Sequence, residues 1–300
     1  MTERRMPRKL SGHDRERYFQ MKKIPWLHIV LFIATFFSTL SVGALQTQTI
    51  EDIMKTPSKI TAGLPFSVTL MLILLCHELS HYIASRKHHV KATLPYFIPA
   101  PTLIGTLGAF IKMKSPITTR EALIDIGASG PIAGFIVSLL AVIAGLPLSK
   151  IIVAKGFEGS LALGDSLLFS LLSRLILGEL PQSYDVLLHP IAFAGWIGFF
   201  VTALNLIPVG QLDGGHIAYA LLGGKHENVS KILVLSMLIL GFLFWEGWII
   251  WAILLIILGL RHPPVMYWET PLDGRRRLVS WVTAIIFILT FIPVPFKVMP

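Results

Sequence analysis

The sequence predicts an all-α polytopic membrane protein of about seven transmembrane helices, with a re-entrant or β-hairpin segment near its candidate site. Three observations lead to this fold class. Of the 300 residues, 54% are hydrophobic and 14% are charged, whereas about 25% of the residues in a soluble domain are charged. Six apolar runs are near or above the roughly 20 residues that a helix needs to cross a bilayer. Lysine and arginine concentrate between these runs, as membrane topology requires.

The elements follow one another along the chain as a basic tail and a membrane domain. Residues 1–23 are expected to form a basic cytosolic tail that precedes a retained anchor, because no convincing cleavage site follows the first apolar run. The membrane domain is expected to occupy residues 24–300. Its apolar runs are 24–45, 64–85, 121–146, 190–210, 229–260 and 278–296.

The run 229–260 is too long for one ordinary span, and Glu246 and Gly247 interrupt it. We favour a helical hairpin that turns at Glu246, which gives seven spans and keeps Arg261 on the cytosolic side. One tilted helix is the alternative. Trp245, Trp248 and Trp251 lie near the proposed turn and are expected to form an interfacial belt.

Two segments do not fit simple spans. Residues 92–114 are apolar but contain three prolines and two glycines, which disfavour a regular helix. We expect a re-entrant or interfacial segment that ends in a short hairpin. Residues 164–178 are too short for a span, and they predict an amphipathic surface helix with Asp165 or Ser166 as N-cap and Gly178 as stop.

Charge and cysteine content narrow the function classes. The net charge of +9 comes mainly from the tail and from short segments between apolar runs, so it indicates membrane topology and no nucleic-acid partner. The single cysteine, Cys76, excludes an intramolecular disulfide. The expected partner is the lipid bilayer, and the oligomeric state stays open.

The stretch "HELSH" at residues 77–81 has the HExxH spacing. On a helix, residues four apart share one face, so His77 and His81 can present two imidazoles to one metal ion, with Glu78 beside them as a proton acceptor. The alternative is that both histidines are interfacial residues at a helix end. Against it, Glu78 lies about two turns inside Arg86, where a lone ionised carboxylate is costly.

A third ligand is predicted in "NLIPVGQLDGGH", residues 205–216. Asp213 is the only acid between Asp185 and Glu227, and it follows an apolar run on the side where the second span also ends. The alternative for this segment is a plain helix exit, in which Pro208 and Gly210 break one helix and Asp213 caps the next.

HELSH, together with Asn205, Pro208, Leu212, Asp213 and Gly214, resembles the site-2 protease family of intramembrane zinc metalloproteases, in a branch without a PDZ or CBS domain. The resemblance implies a catalytic core over about residues 64–216, with 24–45, 229–260 and 278–296 as accessory helices. It implies one zinc ion held by His77, His81 and Asp213, and Glu78 as general base and acid. Asn205 would hold the substrate or the oxyanion. The stretch GTLGAF, with Gly105 and Gly108, resembles the family's membrane-associated β-hairpin loop and implies substrate binding.

The expected function is therefore regulated intramembrane proteolysis of transmembrane protein substrates, which Glu78 would catalyse by general acid–base chemistry. A zinc-binding membrane protein without hydrolysis, either a transporter or an inactive scaffold, is the alternative. The expected location is a prokaryotic plasma membrane, with the N-terminus and the active-site end on the cytoplasmic side. Archaeal and plastid membranes stay open.

Overall fold

The computed structural model describes residues 25–153, 161–181, 183–269 and 271–298, so the expected tail at 1–23 lies outside the described residues. Within these ranges the fold is mostly helical and fits a membrane protein. Four helical stretches are long and apolar enough to cross a membrane, where the sequence predicts about seven spans: Trp26–Leu45, Pro57–Lys87, Arg120–Leu148 and Asp213–Leu243. Three further apolar helices are shorter: Leu167–Leu177, Pro190–Leu206 and Gly247–Leu258.

The α-helices are numbered along the described chain. They are α1 Trp26–Leu45, α2 Ile50–Lys55, α3 Leu64–Lys87, α4 Arg120–Gly145, α5 Leu167–Leu177, α6 Pro190–Leu206, α7 Asp213–Leu222, α8 His226–Leu243, α9 Gly247–Leu258 and α10 Gly274–Thr290. Helix α10 begins and ends earlier than the expected 278–296. Asp273 caps its first turn, while Pro293 and Pro295 cannot continue a helix.

Six short strands pair into three antiparallel two-stranded sheets, so the description all-α needs correction. The strands are β1 Tyr96–Pro99, β2 Thr106–Phe110, β3 Lys150–Val153, β4 Leu161–Leu163, β5 Tyr184–Leu187 and β6 Phe296–Val298. The pair β1–β2 is the expected hairpin within 92–114. The pairs β3–β5 and β4–β6 were not predicted, because strands of three or four residues carry too little periodicity.

Helices α3, α4, α6 and α7 form the centre of the molecule, and α4 packs against the other three. Glycines on α6 allow the closest approach to α4. A Cβ atom at Gly198 would lie 2.0 Å from the Ser138 hydroxyl oxygen, and one at Gly195 would lie 2.8 Å from a Val142 methyl group. Small residues are a common means of bringing membrane helices together.

Helices α8 and α9 pack against each other as a helical hairpin, with residues 244–246 between them. This geometry agrees with a turn at Glu246 and not with one tilted helix. The predicted tryptophan belt is wrong for Trp248, whose side chain is 1% exposed. Its indole Nε1 donates to the Pro293 carbonyl oxygen at 2.7 Å, so the ring is a core residue that joins α9 to the segment after α10.

The prediction of a short helix at 164–178 is confirmed as α5. The Ser166 hydroxyl accepts a hydrogen bond from the Phe169 backbone amide, and Gly178 ends the helix with a φ of 81°. Asp165, the other candidate, is not the cap. The leucines on the outer face are exposed, while the opposite face packs against the core.

Candidate metal centre

His77 and His81 lie one turn apart on α3, and both side chains are buried. Their ring centroids are 4.8 Å apart, and their Nε2 atoms are 3.1 Å apart. The HExxH spacing therefore brings both imidazoles to one point, as the sequence predicts. The interfacial alternative, in which the two rings extend toward headgroups, does not agree with this burial.

Asp213 reaches the same point from a different part of the chain. Helix α6 ends at Leu206, and the turn that contains Pro208 and Gly210 leads directly to Asp213 at the start of α7. The Asp213 Oδ2 atom lies 3.2 Å from the Nε2 atoms of both His77 and His81. Leu212 occupies the N-cap position, and no side chain caps the helix. The Asp213 carboxylate therefore points at the histidines and does not act as a helix cap.

The separations among these three atoms fit a tetrahedral metal ion. Two ligand atoms around a zinc ion, with bonds of about 2.0–2.1 Å, are about 3.3 Å apart. The observed separations are 3.1–3.2 Å. Among the described residues, His77, His81 and Asp213 are the one group of three or more such side chains that could hold a metal ion.

A backbone contact orients the second histidine. The His81 Nδ1 atom lies 2.8 Å from the Ile126 carbonyl oxygen of α4. Because a carbonyl only accepts, Nδ1 carries the proton, and this leaves the Nε2 lone pair directed at the candidate metal position. This is the arrangement that a histidine ligand requires.

Glu78 is buried beside the donor set without joining it. Its Oε1 atom is 4.0 Å from the His77 Nε2 atom, and the backbone amide of Ile111, just after β2, faces its carboxylate. The Glu78 side chain is thus placed to exchange protons with a molecule between the donor set and the hairpin.

Asn205 and the two hairpin glycines lie at different distances from the donor set. The Asn205 Nδ2 atom, on α6, is 3.5 Å from the His77 Nε2 atom. Gly105 packs against α1: its φ is 81°, and a Cβ atom there would lie 2.8 Å from the Thr39 Cα atom. Gly108 has a φ of 97° and open space where a side chain would stand. A role in substrate binding stays a prediction for both glycines.

Two residues that sequence reasoning missed are Gly130 and Gly134 of α4. A Cβ atom at Gly130 would lie 2.1 Å from the His81 Nε2 atom, and one at Gly134 would lie 3.0 Å from the His77 Nδ1 atom. Helix α4 therefore needs glycine where it covers the two imidazoles. The stretch "GASGPIAG" contains the signal, since its three glycines recur on one face of an otherwise apolar helix.

A second layer continues from α7 towards the segment before α10. The His216 Nδ1 atom is 2.7 Å from the His262 Nε2 atom, and His262 Nδ1 donates to the Pro263 carbonyl oxygen at 2.7 Å. Since His262 Nε2 is then the acceptor, His216 is the donor between the two rings. Burial lowers the pKa of His262, which favours this neutral form. His189 has a different role: it caps α6, where its ring accepts a hydrogen bond from the Ile191 backbone amide.

Asp125, to which the sequence assigns no role, has protein partners for its charge. Its carboxylate accepts hydrogen bonds from Arg276 at 2.8 and 3.1 Å and from His88 at 2.8 Å. Arg276 also pairs with Glu121 and Asp273. We call this group of five residues the arginine cluster. It joins the start of α4 to the C-terminal end of α3 and to the N-terminal start of α10.

Comparisons with known proteins place the chain in a described family. The model of peptidase family M50 matches residues 65–244. The chain is 33% identical over 248 residues to a probable zinc metalloprotease EGY1, chloroplastic, of Arabidopsis thaliana. The aligned residues cover 78% of this chain and 44% of the relative. To the EGY1 protein of Oryza sativa subsp. japonica it is 32% identical over 246 residues, 78% of this chain and 41% of the relative.

A third relative is a probable zinc metalloprotease EGY2, chloroplastic, of Arabidopsis thaliana, which is 29% identical to this chain over 243 residues. The aligned residues cover 78% of this chain and 42% of the relative. The chain thus spans less than half the length of these curated relatives. No solved structure matches the chain.

Proposed function

Because the chain belongs to peptidase family M50, we propose that it is a zinc-dependent intramembrane endopeptidase. It hydrolyses peptide bonds within or at the edge of transmembrane helices of membrane protein substrates, in regulated intramembrane proteolysis. The observation that carries this proposal is the convergence of two imidazole nitrogens and one carboxylate oxygen at 3.1–3.2 Å, beside a buried glutamate. In this proposal His77, His81 and Asp213 hold one zinc ion per chain.

The roles of the chain's own residues follow from their positions. Zinc, when bound, supplies a Lewis acid that acidifies water and polarises a carbonyl group. Glu78 accepts a proton at a carboxylate oxygen as water adds to the scissile carbonyl carbon. When the carbon–nitrogen bond breaks, Glu78 returns this proton to the departing amine nitrogen. Asn205 donates from its amide to the oxygen that gains negative charge, without adding a buried charge of its own.

The hairpin offers a surface for an unwound substrate. Strand β2 pairs with β1 along one edge, and no strand pairs with its other edge among the described residues. Because β2 packs against α3 and Ile111 faces Glu78, an extended segment added to this edge would reach the candidate centre. Gly108 leaves open space along the strand. We infer that the edge of β2 holds the substrate, and that 92–114 is the re-entrant segment.

For the topology we propose seven spans or membrane-entering helices, α1, α3, α4, α6, α8, α9 and α10. The basic ends of α3, α4 and α10 meet at the arginine cluster, and the positive-inside rule assigns this end to the cytoplasmic side. A prokaryotic plasma membrane stays the predicted location. The names of the relatives, which are chloroplastic, support a plastid membrane as its alternative.

A zinc-binding membrane protein without hydrolysis is the second candidate. A transporter is expected to distribute polar ligands along a path through several spans, whereas the described residues contain a single candidate metal group. An inactive scaffold has no need for a buried carboxylate such as that of Glu78. Both observations favour the protease.

The test is cleavage of a single-span substrate by the purified chain in liposomes, with the products mapped by mass spectrometry. We expect a cut near the cytoplasmic end of the substrate helix, and slower cleavage when leucines stiffen that helix. Glu78→Gln should abolish cleavage and keep zinc, because Glu78 is not a proposed ligand. Glu51→Gln changes an exposed glutamate and serves as the matched control. Wild-type cleavage by Glu78→Gln would refute the proposed role of this residue.

A further inference from the structure

A groove at the basic end of the molecule combines positive charge with an apolar wall. It has a volume of about 450 Å³ and lies between α4, α7 and α10. Arg120 and Arg277 line it together with Ser280, Trp281, Leu221 and Ala284. None of these residues belongs to the donor set or to the proposed path of the substrate, so the groove is separate from the candidate metal centre.

The two guanidinium groups in the groove are held without acidic partners. Arg120 donates from Nε to the Ala220 carbonyl oxygen at 2.8 Å, and its Cζ atom lies 4.4 Å from the centroid of the Trp268 ring. In the described part of the chain, neither Arg120 nor Arg277 has a carboxylate within salt-bridge distance. Arg276, which precedes Arg277 in the chain and does not line the groove, pairs with three carboxylates. The groove therefore presents two uncompensated positive charges that come from two different helices.

The lining changes from polar to apolar along α10. Arg277 and Ser280 come first, and Trp281 and Ala284 follow within about 10 Å, at a helical rise of about 1.5 Å per residue. Leu221 of α7 forms the facing wall. This order matches the arrangement of a phospholipid that lies along the helix, with its headgroup at the arginines and an acyl chain against the tryptophan.

We propose that the groove binds one anionic phospholipid, whose phosphate the guanidinium groups of Arg120 and Arg277 hold. Guanidinium groups match the geometry of phosphate oxygens, and basic pockets between membrane helices are a recurring site for anionic headgroups. The bound lipid connects α7, which begins at Asp213, to α4, which covers both histidines. It therefore links the helix that supplies the third proposed ligand to the helix that packs against the two histidines of α3.

The test is binding of defined lipids to the delipidated full chain in detergent, followed by native mass spectrometry and by thermal unfolding. Phosphatidylglycerol should remain bound as one molecule per chain and raise the unfolding temperature, whereas phosphatidylcholine with the same acyl chains should not. Arg277→Gln should weaken phosphatidylglycerol binding about tenfold. Ala284→Trp, at an exposed position, should weaken it similarly by filling the apolar part of the groove.

The matched control is Arg275→Gln, which removes the same charge from an exposed residue of the same helix turn that does not line the groove. It should change the affinity less than twofold. Equal binding of both lipids, an equal loss in Arg275→Gln, or equal stabilisation by inorganic phosphate would each overturn the proposal. The measurement requires neither zinc nor peptide cleavage, so its outcome is independent of the proposed protease activity.

Discussion

The donor set and the arginine cluster each bring a histidine together with an aspartate from another helix, and they differ in what balances the charge of the carboxylate. In the donor set, His81 of α3 meets Asp213 of α7, and α4 contributes only a backbone carbonyl. In the arginine cluster, His88, the residue after α3, meets Asp125 of α4. At Asp125 a guanidinium completes the group with two hydrogen bonds. At Asp213 two imidazole nitrogens converge on one oxygen, and the described residues place no lysine or arginine within salt-bridge distance.

This difference separates an ion pair from a set of metal ligands. A carboxylate paired with arginine has its charge compensated within the protein. At Asp213, one carboxylate oxygen and two imidazole nitrogens lie within 3.2 Å of one another, and all three atom types are ligands that zinc accepts. A cation bound to all three would satisfy the group. We therefore expect the donor set to depend on a metal ion and the arginine cluster to be independent of one.

Gly130→Ala is expected to have the largest effect on this comparison. The added Cβ would lie 2.1 Å from the His81 Nε2 atom, so the imidazole must leave its position. We expect loss of most of the zinc and at least a hundredfold loss of cleavage, while α4 stays helical because alanine favours helix by up to about 1 kcal/mol over glycine. Zinc analysis and circular dichroism measure both. Gly224→Ala, where open space surrounds the glycine, should behave like wild type; full zinc and activity in Gly130→Ala would contradict the observed packing.

Asn205→Ala should reduce the rate and leave the metal. The Asn205 amide lies 3.5 Å from a histidine ligand atom and is not itself one of the three donors. Loss of an oxyanion donor lowers kcat by about a hundredfold or more, whereas loss of a ligand would lower the zinc content. Steady-state kinetics and metal analysis on the same preparation distinguish the two. Asn228→Ala removes an exposed amide and is the control, and a zinc-free Asn205→Ala protein would make Asn205 a ligand.

Arg276→Gln should reduce stability and spare the metal site. Its side chain is about four-fifths buried, and its guanidinium pairs with Asp125, Glu121 and Asp273. Removing it leaves carboxylates partly buried without their cation, which we expect to lower the free energy of unfolding by about 2 kcal/mol. Denaturant unfolding in detergent measures the change, with Arg275→Gln as control. The folded variant should bind zinc as wild type does; zinc loss without loss of stability would mean that the two clusters are coupled.

The sequence predicted the donor set because its members come from two short motifs with fixed local geometry. HExxH places His77 and His81 on one helix face, and the break at Pro208 and Gly210 brings the chain round to Asp213. The structure adds what spacing cannot encode. Glycine is required at position 130 because α4 packs against His81 in the folded chain. Asp125 pairs with Arg276, which is 151 positions away in the sequence.

The same limit explains the elements that the sequence missed. Strands β3 and β5 are separated by α5, and each has only four residues, so their pairing depends on how the intervening chain folds. The position of Trp248 near the turn predicts an interfacial residue, but its packing against the segment after α10 buries the side chain. Local signals, such as an N-cap at Asp165 or Ser166 and the stop at Gly178, can be predicted because they need no distant partner, and the structure selects Ser166 as the cap.

Zinc stoichiometry tests the central claim most directly. Wild type, Glu78→Gln, Asp125→Ala and Asp213→Ala are purified in the same way, exposed to equimolar zinc, dialysed and analysed for metal per folded chain. We expect about one zinc ion in the first three proteins and a sharp loss in Asp213→Ala, which retains only two protein ligands. Full occupancy in Asp213→Ala, or equal loss in Asp125→Ala, would contradict the assignment of His77, His81 and Asp213 as the metal site.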